Sequence, residues 1–422
     1  MLRQIFIFFL IFTFTGHAVF ASPHLSLSET YLLAVKSLES TKISQTQLLQ
    51  AEEVHSQAKA AFFPKLSAST AYLKQDIPTS TSSTSTSSSF RQSSQTTSKI
   101  NLSQPLYQGG AEYAGYRKTK LSVKSAKINN ENTRLSIYAQ VAEAYLAVLS
   151  EKQDIKNLDQ LTQNLYKRSK EIKSRTRIGQ ARNSDLLSAQ SQVRLAEADM
   201  AKEETRLSNL RKNLNALIPG SQAIEPYDTS PTRIAIAPLN FWVSHINNRP
   251  DIQATRLTIE SSEQEIKLQK AGHMPTLGLE SNYYLERDGV LADSEWDVAI
   301  TLKLPIFAGG DVSSKTRQAT LETSIQNLKL NKLYREALVE VETYYQTVLG
   351  SIQQINQLRE SANLSEKSYK LYLKEYRTGL IGYLEVIQAE KNYWEIKRRL
   401  DRMLFESKLD WIKLNLAIGK IP

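Results

Sequence analysis

Residues 102–110 read Leu-Ser-Gln-Pro-Leu-Tyr-Gln-Gly-Gly, and residues 302–310 read Leu-Lys-Leu-Pro-Ile-Phe-Ala-Gly-Gly. Each stretch follows a run of alternating apolar and polar residues and precedes a very long stretch without proline. Alternation is the period of a strand, and the long proline-free stretch is that of a helix. The quoted stretch is therefore a strand-to-helix junction. Pro105 and Pro305 are expected to end the strand ladder, because proline has no N–H to donate. Gly109-Gly110 and Gly309-Gly310 let the backbone turn sharply without a Cβ penalty.

The spacing of 200 residues holds well beyond the junction. Val141 recurs as Val341, Tyr145 as Tyr345, Ile155 as Ile355 and Leu158 as Leu358. Arg177 and Gly179 recur as Arg377 and Gly379, and Leu214-Asn215 as Leu414-Asn415. One offset kept over more than a hundred residues is an internal duplication.

The chain has 422 residues, which on length alone implies two or three globular domains. The duplication replaces that with two similar halves. With no cysteine, disulfides, thiolate metal sites and cysteine nucleophiles are excluded. The five histidines are scattered without metal-ligand spacing. The net charge of +10 is interleaved with acids along helices, which is the pattern of a solvated helix surface and not of nucleic-acid binding. Residues 309–316 nearly match a phosphate loop, but Ser314 stands where that loop needs glycine. No cofactor site, nucleophile–base pair or catalytic cleft is read from the chain, so it is not expected to be an enzyme.

Residues 1–21 have the pattern of a secretory signal peptide: Arg3, an apolar core from Ile5 to Thr15, and cleavage after Val19-Phe20-Ala21. The first repeat, 22–220, begins with one helix over 26–61, opened by a capping box of Ser26 and Glu29. A β-hairpin at about 64–105 follows, its polar Ser/Thr loop spanning 79–98. A long helical hairpin, 111–218, reverses near Gly179. Its returning arm carries Val193, Ala196, Met200, Leu207, Leu210, Leu214 and Leu217 at heptad spacing, with Glu203 as the exception. Residues 221–250 are a linker. The second repeat, 251–422, has a hairpin at about 275–305, with a turn at Asp288-Gly289, and a helical hairpin over 311–418.

Strands of about nine to eleven residues, apolar on one face and polar on the other, have the length and pattern to cross a bilayer as part of a barrel. Tyr107, Tyr283, Trp296 and Phe307 stand where interfacial aromatics would. Four strands cannot close a barrel, so several chains must each contribute four; three chains give twelve. A secreted structural or adhesive trimeric coiled coil without a pore is the alternative reading.

Taken together, the two Pro-apolar-aromatic-x-Gly-Gly junctions, the Ala-rich helix ends before Pro64 and Pro275, Asn248-Arg249-Pro250-Asp251 and the two Arg-x-Gly tips resemble the TolC-like outer-membrane channels of tripartite efflux and type I secretion. The resemblance implies an α+β membrane protein. In it a homotrimeric twelve-stranded β-barrel, embedded in the outer membrane of a Gram-negative bacterium, continues as a long α-helical coiled-coil periplasmic tunnel. It implies passive conduction of drugs, small toxic solutes or secreted protein. Its partners would be a periplasmic adaptor and an inner-membrane pump of the RND, ABC or MFS type, with no nucleic acid involved. By the same resemblance Arg177, Gly179, Arg377, Gly379, Leu380 and Gly382 would touch the adaptor. Asp185 and Glu385 would form a charged entrance ring, with neutral Gln388 where the family often has a second acid.

Overall fold

The computed structural model describes residues 24–76, 93–220, 224–228, 235–288 and 291–422. The signal-peptide reading, residues 79–92 of the Ser/Thr tract and Gly289 of the second turn lie outside them. In chain order the elements are β1 (His24–Leu25), α1 (Leu27–Ser37), α2 (Glu39–Ala60), β2 (Lys65–Lys74), β3 (Ser94–Gln108), α3 (Ala111–Arg177), α4 (Asn183–Ala216) and β4 (Glu225–Pro226). They continue as α5 (Leu239–Ser244), α6 (Pro250–Lys270), β5 (Thr276–Arg287), β6 (Trp296–Lys303), α7 (Asp311–Arg377) and α8 (Tyr383–Leu416).

The two 67-residue helices, α3 and α7, set the length of the molecule. At 1.5 Å per residue each is about 100 Å long. No single partner matches them. α2 and α6 have 22 and 21 residues, and α4 and α8 have 34 each. A short helix and a returning helix therefore share the length of each long one. The contacts follow: α2-α3-α6-α7 side by side in the half next to the strands, and α4-α3-α8-α7 in the other half.

The strands form one antiparallel sheet in the order β2-β3-β5-β6. This is the order of the helices that feed or follow them, so each strand prolongs one helix of the wall. Leu66, Leu102, Ser281 and Val298 are opposed across the sheet, as are Ala68, Ile100, Tyr283 and Trp296. These rows make one mainly apolar face. On the other face Asn101 donates to Asn282 at 2.9 Å, and Asn282 donates to Asp297 at 2.7 Å. Tyr284 donates to the second Asp297 oxygen at 2.8 Å. The apolar face is uncovered within the chain: Leu66 is 71% exposed, and Ile300 and Leu302 68% each.

α1 lies at the waist of the helices. Val141, Val148, Leu214 and Ile218 lie in one buried cluster, and Val341, Val348, Leu414 and Ile418 in a second. The intervening segment packs on both: Ile224 enters the first, and Trp242 and Ile246 enter the second. The Tyr145 hydroxyl ties this segment down, 2.7 Å from the carbonyls of Leu25 and Tyr227. Arg249 donates bidentately to Asp251 at 2.8 and 3.1 Å, and through Nη1 to Glu340 at 2.6 Å and the Ala417 carbonyl at 2.8 Å. The Asn-Arg-Pro-Asp stretch is thus a clamp across α6, α7 and the end of α8.

Three expectations change. The helix over 26–61 is two helices, broken at Leu38, whose ψ of 138° is extended. The capping box at Ser26 forms, with Glu29 accepting from the Ser26 N–H at 2.7 Å. However, α1 buries Ala34 in the waist cluster, while α2 lies along α3. Both lie on α3, but only α1 enters the buried cluster, so the chain is bent at Leu38 and packing overrides propensity. Pro105 does not end β3, which continues to Gln108. β2 pairs β3 only as far as Ser103, and the register with β5 is irregular between Pro105 and Tyr107. No ladder bond asks for a Pro105 N–H, so the residue is tolerated. In the second copy β6 does end, at Lys303, before Pro305. Finally, Ser94–Ser98, read as loop, are strand, because β2 supplies ladder partners to all five and β5 to Thr97 and Ser98.

Glu203, the exception to the heptad, is buried. It meets Glu151 and Asp154 of α3, the three carboxylates lying within 4.8 Å of one another. Guanidinium groups surround them. Arg398 of α8 forms a fork on Asp154 at 2.6 and 2.7 Å, and Arg206 reaches Glu151 at 3.3 Å. Arg402 stands 3.9 Å from Asp154. Burial first, then a hydrogen bond shared with Glu203, pushes the Glu151 carboxyl up to about 7, against the pull of Arg206. A carboxyl raised above its ordinary value near 4.5 binds its proton more tightly folded than unfolded. That stabilisation is complete below pH 4.5 and is lost as pH rises through 7. The melting midpoint, followed by circular dichroism in detergent, is therefore expected to fall between about pH 5 and 8. Glu151→Gln should flatten that fall.

Candidate functional site at the helical tips

The two helical hairpins reverse in the same way. At the first, the Gly179 N–H donates to the Thr176 carbonyl at 3.1 Å and the Gln180 N–H to the Arg175 carbonyl at 2.8 Å. At the second, Gly379 donates to Tyr376 at 3.1 Å and Leu380 to Glu375 at 3.0 Å. This double closure requires a left-handed residue, and Gly179 and Gly379 have φ of 75° and 78°. Four residues after each glycine, α4 and α8 begin. Asp185 and Glu385 are each the third residue of their helix, where the N-terminal partial charge favours a carboxylate. A Glu385 oxygen sits over Gly382, 3.0 Å from where a Cβ would be.

The tips pack on each other. Ile172 and Ala189 of the first hairpin share a core with Tyr376, Tyr383, Val386 and Ile387 of the second. The Arg175 guanidinium lies 5.0 Å from the Tyr376 ring centre. Burial pushes the Tyr383 hydroxyl well up, and the charges of Asp185 and Glu390 add to it. Further along, Glu390 is buried and accepts from Tyr369 at 2.8 Å, beside buried Arg168. Burial raises the Glu390 carboxyl, and Tyr369 and Arg168 oppose that. It also holds the Tyr369 hydroxyl at about 12.

Arg177, Gly179, Arg377, Gly379, Leu380, Gly382, Glu385 and Gln388 are all exposed at this end, and Asp185 is half-buried beside the tyrosines. Sequence reading missed the apolar crown around them: Ile178, Leu187 and Leu384 are exposed with Leu380. It also missed Arg168 and Glu390. Arg168 falls between Leu165 and Ile172 on one helical stripe, and a charge inside an apolar stripe was the available signal.

At the opposite end, Gly110 and Gly310 precede α3 and α7 with φ of 83°. Gly109 is packed, and Gly309 is open. Tyr283 and Trp296 pair across β5 and β6 near the loop end, while Tyr107 stands at the helix end of β3 and Phe307 beyond the helix end of β6. All four are exposed. Among the described residues no helix is long and apolar enough to cross a membrane.

The outer membrane efflux protein family matches residues 42–220 and 243–419. The outer membrane protein TolC of Vibrio cholerae serotype O1 is 22% identical over 344 residues, 78% of each chain. The alkaline protease secretion protein AprF of Pseudomonas aeruginosa is 21% identical, over 76% of this chain and 69% of that one. Among solved structures, VceC of Vibrio cholerae superposes with a TM-score of 0.77 at 17% identity, covering 93% of this chain and 96% of that one. The CmeC outer membrane channel of Campylobacter jejuni does so with 0.77 at 16%, covering 93% and 85%. With its profile matched over most of its length, the chain belongs to the outer membrane efflux protein family.

Proposed function

We propose that the protein is the outer-membrane channel of an export system, passively conducting solutes or secreted protein out of the cell. The carrying observation is the sheet. One face is apolar and uncovered, the other is a hydrogen-bonded polar ladder, and among the described residues β2 and β6 have no outer partner. An apolar outer face with a wet inner face is what a membrane barrel requires. Exposed strand edges have to be paired there, because the bilayer offers no water. Three chains joined β6 to β2 close a barrel of twelve strands. Each strand prolongs a helix, so the wall continues as a tunnel into the periplasm.

The tips are then the entrance. Ile178, Leu187, Leu380 and Leu384 give a docking surface for a periplasmic adaptor that brings an inner-membrane pump of the RND, ABC or MFS type. Three copies of Asp185 and Glu385 ring the mouth with carboxylates, a field that favours cations. The chemistry of transport is left to the pump, and the chain itself is not an enzyme.

Detergent-extracted protein is expected to have the mass of three chains and to image as a hollow rod roughly 100 Å long below a detergent belt. In planar bilayers it should conduct, and Glu385→Gln should lower the cation-to-anion permeability ratio read from the reversal potential. A one-chain mass, or a rod soluble without detergent, would sink the channel reading.

A further inference from the structure

The waist segment marks the outer side of the helical wall. Tyr138 of α3 meets the edge of Tyr31 in α1, the Tyr145 hydroxyl holds the carbonyls of Leu25 and Tyr227, and Lys152 pairs with Glu225. The three stand seven residues apart, so they share one face of a coiled-coil helix. A segment on the inside would block the bore, so the face it covers is the outer one. Followed toward the strands, the same face carries Glu131, Lys124 and Arg117 at steps of seven, interleaved with Lys127, Lys120 and Tyr113. No acid stands between Tyr113 and Glu131.

Arg117, Lys120, Lys124 and Lys127 are all exposed. Among the described residues none of the four is in an ion pair or a side-chain hydrogen bond, whereas Lys118 between them pairs with Glu265. Like charges three and four residues apart weaken a helix, so the stripe does not serve α3 itself. Nor does the repeat need it, because the counterparts on α7 are Arg317, Thr320, Ser324 and Asn327. α3 is flanked here by α2 and α6 of its own chain, so another copy does not cover the stripe. Above it lies an aromatic layer. Tyr113 is 61% and Phe63 64% exposed, and Phe62 stands edge-on to Tyr113 at 5.2 Å. Such a layer belongs at the level of lipid headgroups. Arg117 and Lys120 follow about 9 and 14 Å below the start of α3, and Lys124 and Lys127 about 20 and 24 Å below it. Lys59 of α2 joins the upper pair: burial, then the charges of Lys59 and Lys120, lowers the His55 imidazole between them.

We propose that Arg117, Lys120 and Lys59 bind anionic phospholipid headgroups of the periplasmic leaflet, three such patches making a collar round the neck of the channel. The proposal rests on the outer-membrane, three-chain reading above. The headgroup zone is about 5–8 Å thick on each side of a bilayer, and long basic side chains reach up into it along their stems. The Arg117 guanidinium can hold two phosphate oxygens at once, and the lysines act as point charges. Lys124 and Lys127 lie deeper, where the pull of the leaflet fades within a Debye length of about 8 Å.

Native mass spectrometry reads this directly. The three-chain particle, released from micelles holding equal phosphatidylglycerol and phosphatidylcholine, is expected to carry mainly phosphatidylglycerol. Arg117→Gln with Lys120→Gln should lower that preference about tenfold or more. Lys124→Gln with Lys127→Gln removes the same charge at greater depth and should lower it about threefold or less. Lys170→Gln with Lys173→Gln, toward the tip of α3, should leave it unchanged. All six positions are exposed and glutamine suits a helix, so the variants should keep the mass of three chains. No preference in the unaltered protein, a preference that survives the Arg117/Lys120 change, or equal losses from the upper and the deeper pair would overturn the proposal. So would millimolar inorganic phosphate that strips the phosphatidylglycerol at constant ionic strength, which would mark a small-anion site. A one-chain mass, or a rod soluble without detergent, would instead remove the channel reading itself.

Discussion

Asp154→Ala is expected to cost about 3–5 kcal/mol, because it removes one partner of a buried ion pair and leaves the other charged. Asp154 is 4% exposed at its side chain, and Arg398 is 17% exposed. The fork is bidentate, at 2.6 and 2.7 Å, and spans two helices 244 residues apart in sequence. Without it the Arg398 guanidinium keeps Glu203, at 3.8 Å, and the more distant charge of Asp199. The melting midpoint of the helical signal in detergent should drop accordingly. The companion experiment separates the pair from its burial. Asp154→Leu with Arg398→Met replaces both charges by apolar groups and should recover most of the loss, since such replacements are often neutral. Equal destabilisation by the single and the double change would mean that shape, and not charge, holds this seam.

Gly109→Ala is the second large effect, and Gly309→Ala is its control. Both glycines have positive φ, 67° and 60°. Either alanine therefore bears the left-handed penalty of about 1–2 kcal/mol. Only at Gly109 does the new Cβ collide, 2.6 Å from the Ala271 carbonyl oxygen and 2.7 Å from the Met274 Cβ. At Gly309 no atom lies within 4 Å. Backbone cannot yield as a side-chain end does, so Gly109→Ala should lower the yield of assembled protein sharply and Gly309→Ala only mildly. Similar losses at both would show that the close approach of the first junction to the turn at 271–274 is not maintained in the assembled protein.

Much of this architecture was legible because it is written in long periods. A helix of 67 residues needs no fine signal: the absence of proline and the Gly-Gly and Arg-x-Gly punctuation mark both ends. The strand faces were legible for the same reason, since alternation survives over eight to twelve residues in β5 and β6. What could not be read depends on neighbours distant in sequence. Leu38 breaks a helix because α1 seats in the buried waist cluster and α2 does not, although both lie on α3. Pro105 sits within a strand because the strand beside it has already stopped. Glu203 occupies a heptad core position because Arg206 and Arg398 reach it from its own helix and from α8. At the tips, the reversals and the first-turn acids were visible as local chemistry. The buried Arg168 and Glu390 were not, because they meet across α3 and α8, far apart in sequence, besides their nearer partners Glu171 and Tyr369.

The matching order of strands and helices has a geometric consequence. Neighbouring strands stand about 4.8 Å apart, whereas packed helices stand about 8–10 Å apart. Four strands must therefore fan out roughly twofold to become four helices, within the few residues between β3 and α3 and between β6 and α7. The doubled glycines with positive φ stand at these two outgoing crossings. They act as the fitting between two gauges. In an assembly of three chains, the number of elements per chain dictates the bore of the tunnel.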